Sequence, residues 1–153
     1  MTSDRNLDLY GDDARMRRIL RDSRLWFVVG LGDNPDRVAY GVSAMLADRG
    51  KDIVPIHPSA ASVHGQTGYP SVTAAAEALG APDVVDVFLR SELVGPIVDE
   101  AIAADAKAVW LQLGVIDEAA AARARLAGLD TVMDHCPAQE WPRLGPPDAA
   151  RRA

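Results

Sequence analysis

The chain has 153 residues, of which 48% are hydrophobic and 25% are charged, a balance that is typical of one globular domain and excludes a disordered or fibrous protein. Its 22 aspartates and glutamates outnumber its 16 lysines and arginines, and the net charge of -6 argues against a nucleic-acid partner. The longest uncharged apolar stretch, 108–116, has about half the length of a membrane span, so we expect no membrane partner. The single cysteine, Cys136, cannot form an internal disulfide, and we expect a cytoplasmic protein.

The first predicted element is an amphipathic helix over 12–21. Met16, Ile19 and Leu20 share one side of it, and we expect that side to lie across the rest of the domain. Five short apolar runs follow and predict β-strands, because continuous runs without alternation are typical of a parallel sheet covered on both faces. The runs are 25–29, 53–56, 84–89, 108–113 and 129–133.

Four helices are predicted between and after these runs, each from residues that favour a helix start or stop. They extend from Asn34-Pro35 to Gly50, from Ser71 to Gly80, onward from Ser91, and from Asp117 to Gly128. After Cys136, prolines at positions 137, 142, 146 and 147 predict irregular structure, and 148–153 a frayed end.

Strict alternation of strands and helices requires crossover connections and therefore a parallel sheet. We expect an α/β, Rossmann-like, doubly wound fold with a five-stranded parallel sheet in the order 3-2-1-4-5 and an N-terminal helix. One domain over 1–144 and a flexible tail over 145–153 are predicted.

Ligands of such folds bind beyond the carboxyl ends of the strands. The segment after the first strand, 30–37, contains Gly30 and Gly32 and leads directly into a helix. Such a turn lets the backbone approach a phosphate, and the amides of the helix start favour an anion. A phosphate-binding loop is the preferred interpretation, with a plain tight turn as its alternative.

A nicotinamide dinucleotide fits this loop less well. Pro35 stands where the usual fingerprint has its third glycine or alanine, and the second run ends at His57-Pro58 without the acid that binds ribose hydroxyls. An NAD(P)-linked oxidoreductase or redox sensor on the same fold is therefore the second hypothesis.

No catalytic or metal-binding set is recognised in the sequence. His57 and His64 follow the second strand, whereas His135 and Cys136 follow the fifth, and in the expected order these ends lie on opposite sides of the first strand. At the end of the fourth strand, Gln112 could donate to a ligand and Gly114 could leave room for it; a buried tryptophan in the core and a glycine turn are the alternative.

Several short motifs, taken in order and spacing, resemble a known family. They are Val28-Val29-Gly30-Leu31, Pro35-Asp36-Arg37, Val54-Pro55-Ile56, Val85-Asp86-Val87-Phe88, Trp110-Leu111-Gln112-Leu113-Gly114-Val115 and Cys136-Pro137. The sequence is similar over about 12–144 to the small bacterial stand-alone CoA-binding proteins. Their Rossmann-like domain is similar to the nucleotide-binding part of the succinyl-CoA ligase alpha subunit.

The resemblance implies that the chain binds CoA or acyl-CoA, a small nucleotide ligand. Because no acid, base, nucleophile or metal set is recognised, we expect no catalysis of its own. The CoA pyrophosphate would lie on the first loop, the nucleotide would be framed by the ends of strands two and three, and the fourth strand end would line the pocket. The residues so implied are Gly30, Leu31, Gly32, Asp33, Asn34, Arg37, Pro58, Phe88, Gln112 and Gly114. The family often has a lysine where Ser59 stands, and its arginine after the Phe occurs here one place later as Arg90, so Arg37 and Arg90 are the candidate cations for the 3′-phosphate. The resemblance leaves the protein partner and the acyl group open.

Overall fold

Five parallel strands form one sheet in the computed structural model, which describes residues 5–147; the predicted frayed end over 148–153 lies outside the described residues. All five predicted strands are confirmed. They are β1 (Leu25–Val29), β2 (Asp52–Ile56), β3 (Val84–Val87), β4 (Ala108–Leu111) and β5 (Asp130–Met133). β3 and β4 each end two residues before their apolar runs do, and the remaining residues of both runs line cavities at the sheet edge.

The strand order is β2-β1-β3-β4-β5, so the predicted order 3-2-1-4-5 is wrong. β3 pairs with β1 on one side, Asp86 opposite Val28, and with β4 on the other, Asp86 opposite Trp110. The connection 57–83 carries the chain from β2 across β1, so that β3 pairs with the far edge of β1 rather than with β2. The order therefore reverses between β1 and β3, and this is the switch point where an open α/β sheet binds ligands.

Seven α-helices and one 3₁₀ turn surround the sheet within the described residues. They are α1 (Leu7–Tyr10), α2 (Asp13–Asp22), α3 (Val38–Asp48), α4 (Val72–Leu79), the 3₁₀ turn Ser91–Leu93, α5 (Val94–Ala103), α6 (Glu118–Leu126) and α7 (Pro137–Leu144). Two predicted caps are confirmed, since the side chains of Ser71 and Asp117 accept hydrogen bonds from the amides of Ala74 and Ala120.

Helix α7 lies where the prolines predicted irregular structure, and that prediction is wrong. Pro137 occupies the first turn, where a helix needs no N–H donor. Pro142 does fall inside the helix, but Trp141 and Leu144 are buried against the domain. This apolar packing stabilises a helix that local sequence preference disfavours.

The helices cover both faces of the sheet. Residues of α2, α3 and α7 pack with Trp26 and Trp110 on one face, and the predicted apolar side of α2, formed by Met16, Ile19 and Leu20, is buried there. Residues of α1, α4, α5 and α6 form a second core on the other face. The doubly wound α/β architecture is thus confirmed. None of the helices within residues 5–147 has the length and hydropathy of a membrane span.

Candidate functional site

The candidate site is a crevice at the switch point, where the segments after β1 and β3 pass each other. Gly30 follows β1 with a φ of 95°, a left-handed conformation that favours glycine. A Cβ at this position would lie 2.6 Å from the carbonyl oxygen of Phe88, which follows β3. The two backbones therefore approach each other as closely as only a glycine allows.

This contact stands between two cavities. The larger has a volume of about 610 Å³ and lies on the side of α3 and α7; the smaller has about 330 Å³ and lies on the side of α4 and α5. Gly30, Arg37, Phe88 and Leu89 line both, so we describe the two cavities as compartments of one crevice.

The start of α3 faces the larger compartment. The loop before it is folded by Asn34, whose side chain accepts from the Asp36 amide and whose carbonyl accepts from the Arg37 amide. No side chain caps α3, and its first residues, Val38 and Ala39, line the larger compartment. An uncapped helix start next to a cavity favours an anion there, because its amides and the helix dipole both present positive charge.

Six of the predicted site residues line the crevice. Gly30, Arg37 and Phe88 line both compartments, Arg90 and Gln112 the larger, and Pro58 the smaller. Arg37 and Arg90 are exposed and form no ion pair with any described residue.

The other five predicted site residues line neither compartment; they are Leu31, Gly32, Asp33, Asn34 and Gly114. Leu31 is fully buried in the core, so its side chain serves packing. Gly32 lies beside the His57 ring, and Asp33 and Asn34 are exposed in the loop. Gly114 forms a turn, in which its amide donates to the Asp134 carboxylate at 2.6 Å.

Gln112 is the buried polar residue of the larger compartment. Only 5% of its surface is exposed, and its Oε1 atom has no hydrogen-bond partner among the described residues. A buried acceptor without a donor is costly.

Several lining residues were not among the predicted site residues. Cys136 and Gln139 line the larger compartment. Cys136 directly precedes α7 and Gln139 lies in its first turn, and the proline pattern concealed that helix. His57, Ser71 and Glu100 line the smaller compartment. Their position after β2 or at the starts and faces of α4 and α5 was visible in the sequence, but their orientation toward one cavity was not.

The three histidines have separate environments. His57 Nδ1 contacts Ser59, His64 Nε2 contacts Ser43 and the Tyr40 carbonyl, and His135 Nδ1 pairs with Glu140 at 3.0 Å. Within the part of the chain that the structure describes, no group of three or more His, Cys, Asp or Glu side chains is arranged to hold a metal ion.

Comparison with known proteins connects this chain with a family. The CoA binding domain family matches residues 24–142 of the chain. Uncharacterized protein YneT of Bacillus subtilis (strain 168) is 34% identical over 123 residues, which are 80% of this chain and 89% of YneT. A hypothetical protein from Pyrococcus horikoshii OT3 is 33% identical with a TM-score of 0.83, and the match covers 94% of this chain and 99% of that one.

A more distant structure shares the fold alone. The apo form of dinucleotide forming acetyl-coenzyme A synthetase 1 from Ca. Korarchaeum cryptofilum is 19% identical, with a TM-score of 0.63. The match covers 78% of this chain and 28% of the synthetase chain. The resemblance inferred from the sequence motifs is confirmed by the family match: this chain belongs to the CoA binding domain family.

Proposed function

We propose that this protein binds CoA or an acyl-CoA in the crevice at the switch point, without catalysing a reaction on it. The diphosphate would lie against the segment 30–37 and the start of α3. Two observations carry this proposal. The chain belongs to the family, and the backbones at Gly30 and Phe88 approach each other closely with a cavity on either side.

The shape and polarity of the crevice support an elongated anionic ligand. Compartments of about 610 and 330 Å³ on either side of Gly30 suit a molecule with a nucleotide at one end and a long flexible arm at the other. The uncapped start of α3 and the cations Arg37 and Arg90 offer partners for phosphates.

The lining supports a binding role rather than catalysis. One common way to activate a nucleophile is a base within hydrogen-bond distance. Among the described residues, Cys136 forms no hydrogen bond to a histidine, and the imidazole of His135 is engaged with Glu140 instead. The carboxylates of Asp36 and Glu100 line different compartments, so they do not form an acid–base pair.

A panel of ligands separates CoA from the NAD(P) alternative. CoA, acetyl-CoA, dephospho-CoA, NAD, NADP and FMN are each added at millimolar concentration, and the melting temperature is recorded. A ligand at 100 times its Kd stabilises by about 2.7 kcal/mol, which at about 2 to 4 °C per kcal/mol raises Tm by about 5 to 11 °C. A shift with NAD and none with CoA would overturn the proposal in favour of a nicotinamide-linked protein.

Gly32→Val tests whether the loop holds the ligand. A Cβ at position 32 would lie 3.3 Å from His57 Cδ2, so the branched side chain must displace the ring or enter the space over the loop. We expect CoA affinity to fall at least 10-fold, about 1.4 kcal/mol. Gly41→Val is the matched control, because Gly41 lies on α3 with no atom within 4 Å of an added Cβ. If a folded Gly32→Val variant and the control bind CoA with equal affinity, the loop at Gly32 does not contact the ligand.

A further inference from the structure

The hydrogen bonds around His57 determine which of its ring nitrogens carries the proton. The backbone amide of Ser59 lies 3.1 Å from His57 Nδ1, and an amide N–H can only donate. The Ser59 hydroxyl lies 2.9 Å from the same nitrogen, and its oxygen accepts from the Ala61 amide at 3.3 Å. Since Nδ1 accepts from the Ser59 amide and therefore carries no hydrogen, the hydroxyl donates to Nδ1 as well. With two donors on Nδ1, the neutral ring carries its hydrogen on Nε2.

The protonated edge of the ring faces the glycine-rich segment. His57 Cδ2 and Nε2 lie 3.3 and 3.4 Å from the position that a Cβ of Gly32 would occupy. The ring also lines the smaller compartment, together with Gly30 and Arg37. Among residues 5–147, none accepts a hydrogen bond from His57 Nε2. His57 Nε2–H is thus a donor beside Gly32, and Ser59 holds the Nδ1 edge of the ring in place.

We propose that His57 Nε2–H donates a hydrogen bond to a diphosphate oxygen of the bound nucleotide. This inference rests on the proposed function and adds a residue that determines where the diphosphate lies. The ring edge lies beside Gly32, within the segment 30–37 against which the diphosphate of the proposed function would lie, so the diphosphate is the group within reach. Ser59 acts as a positioning residue, since its amide and hydroxyl hold the ring in the donor tautomer.

Three substitutions separate hydrogen bonding from packing. His57→Phe keeps a ring of similar shape but has no donor, whereas His57→Gln places an N–H near the position of Nε2. His57→Asn reaches only the position of Nδ1. We expect His57→Phe and His57→Asn to weaken CoA binding by about 10- to 100-fold, as loss of a hydrogen bond to a charged group does. His57→Gln should stay within about threefold of the unmodified protein.

Calorimetric titration with CoA, dephospho-CoA and ADP identifies the phosphate concerned. A loss of similar size for all three ligands in His57→Phe supports the diphosphate, which they share. A loss confined to CoA would overturn the inference, because the 3′-phosphate would then be the partner. Equal weakening by His57→Gln and His57→Phe would also overturn it and leave a packing role.

The tautomer is measured independently by long-range proton–nitrogen NMR at pH 8. The pattern of the Nε2–H tautomer is expected for His57, and that of the Nδ1–H tautomer would overturn the inference. If the unmodified protein and His57→Phe bind CoA equally well, the role of His57 is refuted and the proposed function stands. Unmodified protein that binds none of the three ligands refutes the proposed function and this inference together.

Discussion

Asp86 lies at the centre of the sheet, where a carboxylate is not expected. It belongs to β3, its side chain is fully buried, and its strand neighbours are Val28 and Trp110. Neither carboxyl oxygen has a hydrogen-bond partner among the described residues. Burial without a compensating partner disfavours the charged form and raises the pKa of Asp86 well above its ordinary value.

This raised pKa makes folding stability depend on pH, with a defined sign. Above the ordinary aspartate pKa of about 3.9, the unfolded chain releases a proton that folded Asp86 retains. Until the pH reaches the raised pKa of the folded protein, the free energy of unfolding falls by about 1.4 kcal/mol per pH unit. For a chain of this size, that corresponds to about 3 to 6 °C in Tm per pH unit.

Asp86→Asn removes the titrating group while keeping its size and neutral form. We expect the variant to lack this fall in stability, and to be the more stable protein at pH 7. Urea unfolding at half-unit steps from pH 4.5 to pH 8 measures both slopes. Parallel slopes for the two proteins would refute the argument, because Asp86 would then be charged in the fold or solvated.

Asp83→Asn is the matched control, because Asp83 directly precedes β3, the strand that contains Asp86. Burial favours a higher pKa for Asp83, but hydrogen bonds from the amides of Leu25 and Arg24 and the charge of Lys107 outweigh it and lower its pKa. The ionised form therefore contributes stability above the ordinary pKa, and that contribution is lost as the pH falls through the lowered value. We expect Asp83→Asn to be less stable at pH 7 by about 1 to 3 kcal/mol.

Two further predictions concern the larger compartment. Arg37 and Arg90 form no ion pair with described residues, so we expect one or both to bind the 3′-phosphate of CoA. Arg37→Ala and Arg90→Ala should then lower CoA affinity toward that of dephospho-CoA. The preference of the unmodified protein for CoA over dephospho-CoA should shrink as the salt concentration rises. Equal calorimetric affinities of the unmodified protein for CoA and dephospho-CoA at low salt would contradict this. Cys136 is 5% exposed and lines the same compartment, so its reaction with a thiol reagent should be slow in the free protein and slower still with CoA bound. An unchanged rate at saturating CoA would place the ligand elsewhere.

The strands were predictable because a sheet covered on both faces leaves a simple signal. Every residue of β3 and of β4 is buried, so the sequence shows uninterrupted apolar runs. Helix starts were predictable where a side chain caps them, as at Ser71 and Asp117. Helix α7 was not, since its stability comes from the burial of Trp141 and Leu144, which no local pattern reports.

The site was predictable only as far as it follows from strand ends. Gly30, Phe88 and Gln112 come directly after strands, and such positions gather at one edge of any parallel sheet. His57 also follows a strand, but its function as a donor depends on the amide of Ser59 meeting one ring nitrogen. That is a matter of side-chain rotamer and loop shape, which the spacing of residues does not determine.

The strand order has a chemical consequence at both Gly30 and Asp86. In the expected order 3-2-1-4-5, β3 is an edge strand, two positions away from β1, and Phe88 could not touch Gly30. In the observed order β3 lies beside β1, which brings the Phe88 carbonyl against Gly30 and lets Arg90 share a compartment with it. The same placement removes Asp86 from any edge where water could reach its carboxylate. The pH slope of Asp86 therefore also tests the topology: an edge β3 predicts an ordinary aspartate, and the central β3 predicts a protonated one.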